Sequence, residues 1–260
     1  MGTFIKWRIF YSLGVLGFFL AIYLGIYQGF GWWLLGGLIY SKIVHLLGTH
    51  ISLHRYFAHS SFKTTESKHR LLCWISLLGA EGSPIMWFIH HNHHHNHSDT
   101  EKDLHSPLNG IVKNFFWGFR SSEYFEEKGV NIFPKKLYRD RTVKYIHDNY
   151  FTIWALIGLA SLIVDWRLTV FFILFPIGHN NLVAALLTVT LYHGRIKFPG
   201  CYRNFDVGDA SWNNRYVVAA VLGEGYHNNH HREPTNYDQA MRPGEFDPAA
   251  WIIDRAFKID

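Results

Sequence analysis

The sequence predicts an all-α integral membrane protein. Four transmembrane helices, arranged as two hairpins, carry a cytosolic helical cap that houses a histidine-rich metal site. Three observations predict it. Ile9 to Ser41 contains no charged residue. A second apolar stretch, Tyr150 to Tyr192, carries charge only in the turn Asp165-Trp166-Arg167. Histidines crowd just beyond the ends of these stretches, six of them between His90 and His97. Composition agrees: 48% of residues are hydrophobic and only 17% charged, against about 25% in soluble domains. Part of the surface is therefore expected to face lipid. The formal charge of +5 beside apolar spans reads as positive-inside topology and not as nucleic-acid binding.

Residues 1–260 read as one domain, with spans at about 9–27, 32–53, 150–164 and 168–192. The cap comprises 54–148 and 193–260. Lys6 and Arg8 precede the first span, and Gln28, Gly29 and Gly31 mark the turn to the second. Each of these two spans has about the 20 residues that a bilayer crossing needs. The first is too long, and too closely followed by another, for a cleavable signal. Lys42 falls inside the second span, where its stem can snorkel or its charge can face the protein interior. Leu71 to Gly79 is too short to cross and reads as an interfacial or buried helix. Residues 98–148 are polar with Phe115, Phe116 and Trp117 interleaved, too aromatic for a disordered linker. In the second hairpin, Pro176 and Gly178 are expected to kink the return helix. Apart from Lys42, Lys and Arg keep to the N-terminus and to 55–144 and 195–258, with Arg167 in a turn. That distribution puts both termini and every histidine cluster on the cytosolic side.

Cys73 and Cys201 are the only cysteines and form no Cys-x-x-Cys. A disulfide framework and thiolate ligation are both unsupported. Histidine must build any metal site, which suits iron, zinc, copper or manganese. Four places supply it: His54 and His59; the stretch Trp87–Pro107; His193; and His227, His230 and His231. In H-x-x-H-H the three imidazoles share one helix face. In the dense second stretch, His90, His93 and His94 fit this spacing, and so do His91, His94 and His95. Two triplets, the pair at 54 and 59, and His193 make nine nitrogens. That is too many for one ion, so two metals are expected. Glu224-x-x-His227 stands alone, unlike the paired motifs of ferritin-like sites, and reads as incidental.

These motifs resemble the membrane fatty acyl desaturases of the acyl-CoA (Δ9-type) group. Ser98-Asp99-Thr100 and Asp103-Leu104-His105-Ser106-Pro107 match the run after that family's second box. Gly223 to Pro234 matches its third, with Asn213-Asn214 ahead of it. The likeness covers the chain from about Gly48 onward and selects His91, His94 and His95. It implies two iron ions held by His54, His59, His91, His94, His95, His193, His227, His230 and His231, with zinc a possible substitute in purified protein. It implies O2 as co-substrate and a fatty acyl chain, linked to CoA, acyl carrier protein or lipid, as substrate. Electrons would come from a ferredoxin or cytochrome b5-type donor, since no flavin, haem or iron–sulfur motif and no appended cytochrome b5 domain occurs. The short chain and Asn228-Asn229 favour a bacterial inner membrane over the endoplasmic reticulum. Sister reactions on the same frame are hydroxylation, acetylenic bond formation and decarboxylation; the Asn-Tyr-x-x-His-Tyr-Gly element of alkane hydroxylases is absent. A non-enzymatic metal transporter would place its ligands inside the spans. Two departures stand out. Val189 occupies the place of an Asn that in the family holds a metal-bound water, and Asn180 and Asn181 lie about 18–20 Å up the helix from His193. His50, His90, His93 and His97 exceed the pattern and are expected near the site or in solvent. His179 reads as an interhelical hydrogen-bonding residue.

Overall fold

Gly29 adopts φ 79° and lets two long apolar helices fold back on each other. They are α1 (Thr3–Tyr27) and α2 (Gly31–Ala58). The computed structural model describes residues 3–104, 106–110, 122–194 and 197–259. His105 and the Phe115-Phe116-Trp117 segment lie outside the described residues. α2 is α-helical over Gly31–His45 and π-helical over Leu46–Ala58. The second span, expected to end at 53, therefore continues unbroken to Ala58. The end of the apolar run was mistaken for the end of the helix, which goes on because His54 and Arg55 find buried partners.

α3 (Glu66–Ile75) runs into a 3-10 turn, Ser76–Gly79, before α4 (Pro84–His97). The two pass together as one membrane-length segment but bend by 73°. Asp140 caps α5 (Arg141–Val164), its carboxylate accepting from the Thr142 and Val143 amides at 2.9 and 3.0 Å. After the Asp165 turn, α6 (Trp166–Tyr192) returns beside α1. The irregularity expected at Pro176 is a π-helical stretch, Thr169–Leu174, directly before it. Among the described residues, three helices are long and apolar enough to cross a membrane: Ile5–Tyr27, Gly31–Ala58 and Trp166–Tyr192. α5 is not among them, because Arg141, Lys144 and Asp148 occupy its first half.

Glycines let α1 and α6 touch backbone to backbone. A Cβ on Gly178 would lie 2.2 Å from the Gly14 carbonyl oxygen, the close approach that small residues give membrane helices. Gly178→Val is expected to destabilise the pair by about 1–3 kcal/mol through overpacking, read as a lower unfolding temperature in detergent. At the other end, Trp7 packs on Tyr150 and Phe151 with ring centroids 5.2 and 4.7 Å apart. This ties α1 to α5.

The remainder is a cap of short pieces: α7 (Arg215–Val221), α8 (His227–Arg232) and α9 (Pro248–Ile252). One departure from an all-α chain appears here. Strands β1 (Cys201–Tyr202) and β2 (Asn213–Asn214) pair antiparallel, Cys201 opposite Asn214. The pair positions asparagines that hold α8. Asn213 and Asn229 exchange two bonds, of 2.8 and 3.1 Å. Asn228 Oδ1 accepts from the Asn204 and Phe205 amides. All four asparagines at 213, 214, 228 and 229 are buried. The helix of six residues is thus fixed by side-chain bonds its own length could not provide.

Candidate metal centre

The π-helical end of α2 explains the spacing of its two histidines. In an α-helix, residues five apart point about 140° away from each other. The i→i+5 bond pattern of a π-helix brings them back together. The His59 amide donates to the His54 carbonyl at 3.1 Å, and the two rings sit 4.9 Å apart. α4 brings His91, His94 and His95; the end of α6 brings His193; α8 brings His227, His230 and His231.

These nine imidazoles fall into two groups. His54, His59, His91, His95 and His230 form one, and His94, His193, His227 and His231 the other; within each, the ligating atoms lie within 4.8 Å of one another. The triplets do not act as units. From α4, the i and i+4 pair His91 and His95 joins the first group and His94 the second. From α8, His227 and His231 join the second and His230 the first. Residues i and i+4 differ by about 40° around a helix, whereas i+3 falls on the other side of i. One triplet therefore reaches two centres.

Carboxylates set the direction of four of the nine rings. His54 Nδ1 lies 2.9 Å from Glu224, His94 Nδ1 2.9 Å from Asp103, His193 Nδ1 3.2 Å from Asp99 and His231 Nδ1 2.7 Å from Asp209. A proton held there leaves Nε2 as a bare lone pair facing inward. The Nε2 atoms then crowd: His54 to His230 is 3.0 Å, His59 to His91 2.7 Å, His91 to His95 2.9 Å, His193 to His227 2.9 Å. Nε2 atoms this close must share a proton or surround a cation. The donor sets fit metal ions for that reason, one ion per group.

Burial and neighbouring imidazoles push His227, His230 and His231 well below the usual histidine range. Burial works against charge on Glu224, but His54 outweighs it and holds the carboxyl below its ordinary value. A depressed histidine pKa means that the unfolded chain binds protons first. The stabilisation is present above about pH 6.5 and is lost as pH falls below it. Acidification from about pH 7 to about pH 5 is expected to release metal and destabilise the fold, while a rise to about pH 8 does neither. Equilibrium dialysis with elemental analysis reads the first, and thermal unfolding the second.

The remaining described histidines join neither group. His93 Nε2 bonds the Lys102 carbonyl at 3.0 Å, the His97 ring lies tilted against His93, and His90 packs on Phe125. His50, His90 and His93 are buried and not solvent-facing. His179 bonds Ser41, 2.8 Å away on α2, across the helix interface. The side chain of Val189 lies outside the described residues. Sequence reasoning missed the roles of Asp209 and Glu224. Glu224 bonds His54 and not the i+3 partner, His227, that its spacing suggested.

A cavity of about 110 Å³ reaches from both groups between α2 and α6. His54, His91, His94, His193 and His227 stand at one end, and Ala184, Ala185 and Leu187 line its α6 wall.

A family model described as fatty acid desaturase matches residues 30–257. The chain belongs to the fatty acid desaturase family. The resemblance read from the histidine boxes is borne out, and the protein is an oxidoreductase of the membrane. It is 31% identical over 228 residues to an sn-1 stearoyl-lipid 9-desaturase of Anabaena variabilis, covering 82% of this chain and 79% of that one. It is 27% identical to Delta-9 acyl-lipid desaturase 2 of Arabidopsis thaliana, over 96% of this chain and 76% of the relative. A hex-5-enoyl-[acyl-carrier protein] acetylenase of Moorena producens is 28% identical, over 77% of this chain and 68% of the relative. The relatives of this desaturase thus include proteins named as desaturases and as an acetylenase.

Proposed function

We propose that this desaturase removes two hydrogens from a fatty acyl chain using O2 and two iron ions. The observation that carries the reading is the pair of all-imidazole groups at the end of a cavity walled by membrane-length helices. His54, His59, His91, His95 and His230 would hold one iron, and His94, His193, His227 and His231 the other. Bound there, the irons would supply the O2-activating redox chemistry that an unactivated C–H bond requires. The balance is one O2, two electrons and two protons, with the two acyl hydrogens, giving a double bond and two waters.

The residues themselves bind, orient and exclude. Neutral imidazoles add no negative charge to the centre, so it stays electrophilic. Asp99, Asp103, Asp209 and Glu224 hold the Nδ1 protons of His193, His94, His231 and His54 and keep those four rings aimed. Trp87 and the α6 alanines pack the acyl chain away from water. The cavity walls choose which carbons reach the centre by position alone. Zinc can replace iron during purification, since it binds such ligands more tightly. Electrons come from an external ferredoxin or cytochrome b5-type donor.

We read residues 1–260 as one domain with four spans, both termini and the metal site facing the cytosol, most simply in a bacterial inner membrane. The apolar half of α5 supports the fourth span: Leu156, Leu159 and Leu162 are 62%, 55% and 54% exposed and Ile163 76%, a surface suited to lipid. The acetylenase relative favours triple-bond formation as the second reading.

Expression in a desaturase-deficient host, followed by mass spectrometry of total acyl products, tests both. A new monounsaturated acid, absent with His94→Ala, is expected. An alkyne would replace the reaction and keep the site. No new product despite a matched donor would overturn the reading.

A further inference from the structure

The cavity has two unlike walls. The α6 side mixes Ala184, Ala185 and Leu187 with Asn181, Thr188 and Tyr192, and Asn181 and Thr188 donate to carbonyls of their own helix, whereas the α2 side presents His45 and His50. Glu81, from the α3–α4 junction, completes this side and lies 3.2 Å from His45 Nε2. His45, His50 and Glu81 are 6%, 2% and 5% exposed, so bulk water does not solvate them. His50 is the informative one. Its Nδ1 is buried without a partner and faces the Gly223 backbone. Among the described residues its Nε2 has no hydrogen-bond partner either, yet that atom is not sealed off. It opens on the cavity that the ring lines. His50 precedes His54 by one turn and His45 precedes it by more than two, so the polar wall lies on the membrane side of the metal groups.

A tunnel meant only for methylenes would gain nothing from this wall. A hydrocarbon packed against His50 and Glu81 offers these buried polar groups no hydrogen bond. We infer that the far end of the cavity is a polar subsite, and that the acyl chains this protein takes carry a hydroxyl on the methyl side of the reacting carbons. A hydroxyl suits the wall because it can donate its one proton to the Glu81 carboxylate while its oxygen accepts from a His50 N–H. The carrier cannot fill this role, because its polar head stays at the opposite, cytosolic mouth. The inference rests on the acyl-chain reading above and narrows its substrate class.

The test uses the purified, metal-loaded full chain in detergent. Unsubstituted and terminally hydroxylated acyl-CoA of matched length are compared across a series of lengths, and each displaces a fluorescent fatty acyl probe. At the length that reaches the wall, the hydroxylated member is expected to bind about tenfold tighter or more. His50→Leu erases that preference, and His50→Gln, which keeps a hydrogen-bonding group, retains most of it. Both variants are checked for two bound metals. Equal affinities at every length would overturn the subsite. So would a His50→Leu variant that weakens both members by the same factor, because the nitrogen would then serve water or the metal groups. Product is measured separately. A preferred chain that binds without being desaturated counts against the reaction and for the subsite. Equal binding with desaturated product counts against the subsite alone.

Discussion

His227→Ala is expected to bring acyl product below detection and to empty one of the two metal sites. His227 belongs to the smaller group, with His94, His193 and His231. Its loss leaves three nitrogens, and the remaining rings are held by carboxylates that cannot swing inward to replace it. The loss of activity should exceed the ~10–100-fold that removing an outer hydrogen-bond partner costs. His95→Ala makes the informative comparison. It takes one ligand from the five-membered group and leaves four, enough for an ordinary site. Elemental analysis should therefore find about one metal per chain in His227→Ala and closer to two in His95→Ala, with product absent or nearly so from both. Equal metal loss in the two variants would count against the division into a group of five and a group of four.

The second large effect is one of stability. Arg55→Met is expected to destabilise the protein by about 3–5 kcal/mol, the cost of removing one partner from a buried ion pair. Arg55 is 1% exposed. It lies 2.9 Å from Asp247 and 3.6 Å from Glu224, and it donates to the Tyr237 carbonyl at 2.8 Å. Methionine fills the volume but leaves two buried carboxylates facing each other's field. Adding Asp247→Asn should recover part of the loss, since asparagine keeps the cap on the Ala249 amide, now 2.9 Å from Asp247, and removes one charge. Unfolding of the single and double variants in detergent reads both numbers. A neutral single variant would show that the cap does not depend on this pair.

How much of this was legible beforehand depended on the kind of signal. The first hairpin and α6 announce themselves through uninterrupted apolar length. α5 does not, because its apolar half is grafted onto a charged half in one continuous helix. The histidines that gather in the two groups could be picked out from spacing and family likeness. Their division could not, because H-x-x-H-H names a face and two centres lie off that face. The π-helical end of α2 was hidden for a related reason: periodicity arguments assume 3.6 residues per turn. Asp209 was invisible because a lone acidic residue in a loop has no pattern. It meets His231 only through tertiary folding, 22 positions away. Asp99 shows the same limit with a twist. Its left-handed φ of 62° is a backbone fact that no composition predicts, and that turn aims its carboxylate at His193.

The interleaving of the two groups also bears on biosynthesis. His54 and His230 meet across 176 positions, and His94 must wait for His193, His227 and His231. During translation the first hairpin and α4 are made long before α8 leaves the ribosome. For that interval the early imidazoles are a half-built binder, open to any divalent ion nearby. Neither group closes until the last histidines arrive, so on the two-iron proposal metal loading would belong to the end of synthesis. The ion available at that moment then decides the occupant, because intrinsic affinity alone ranks zinc and copper above ferrous iron.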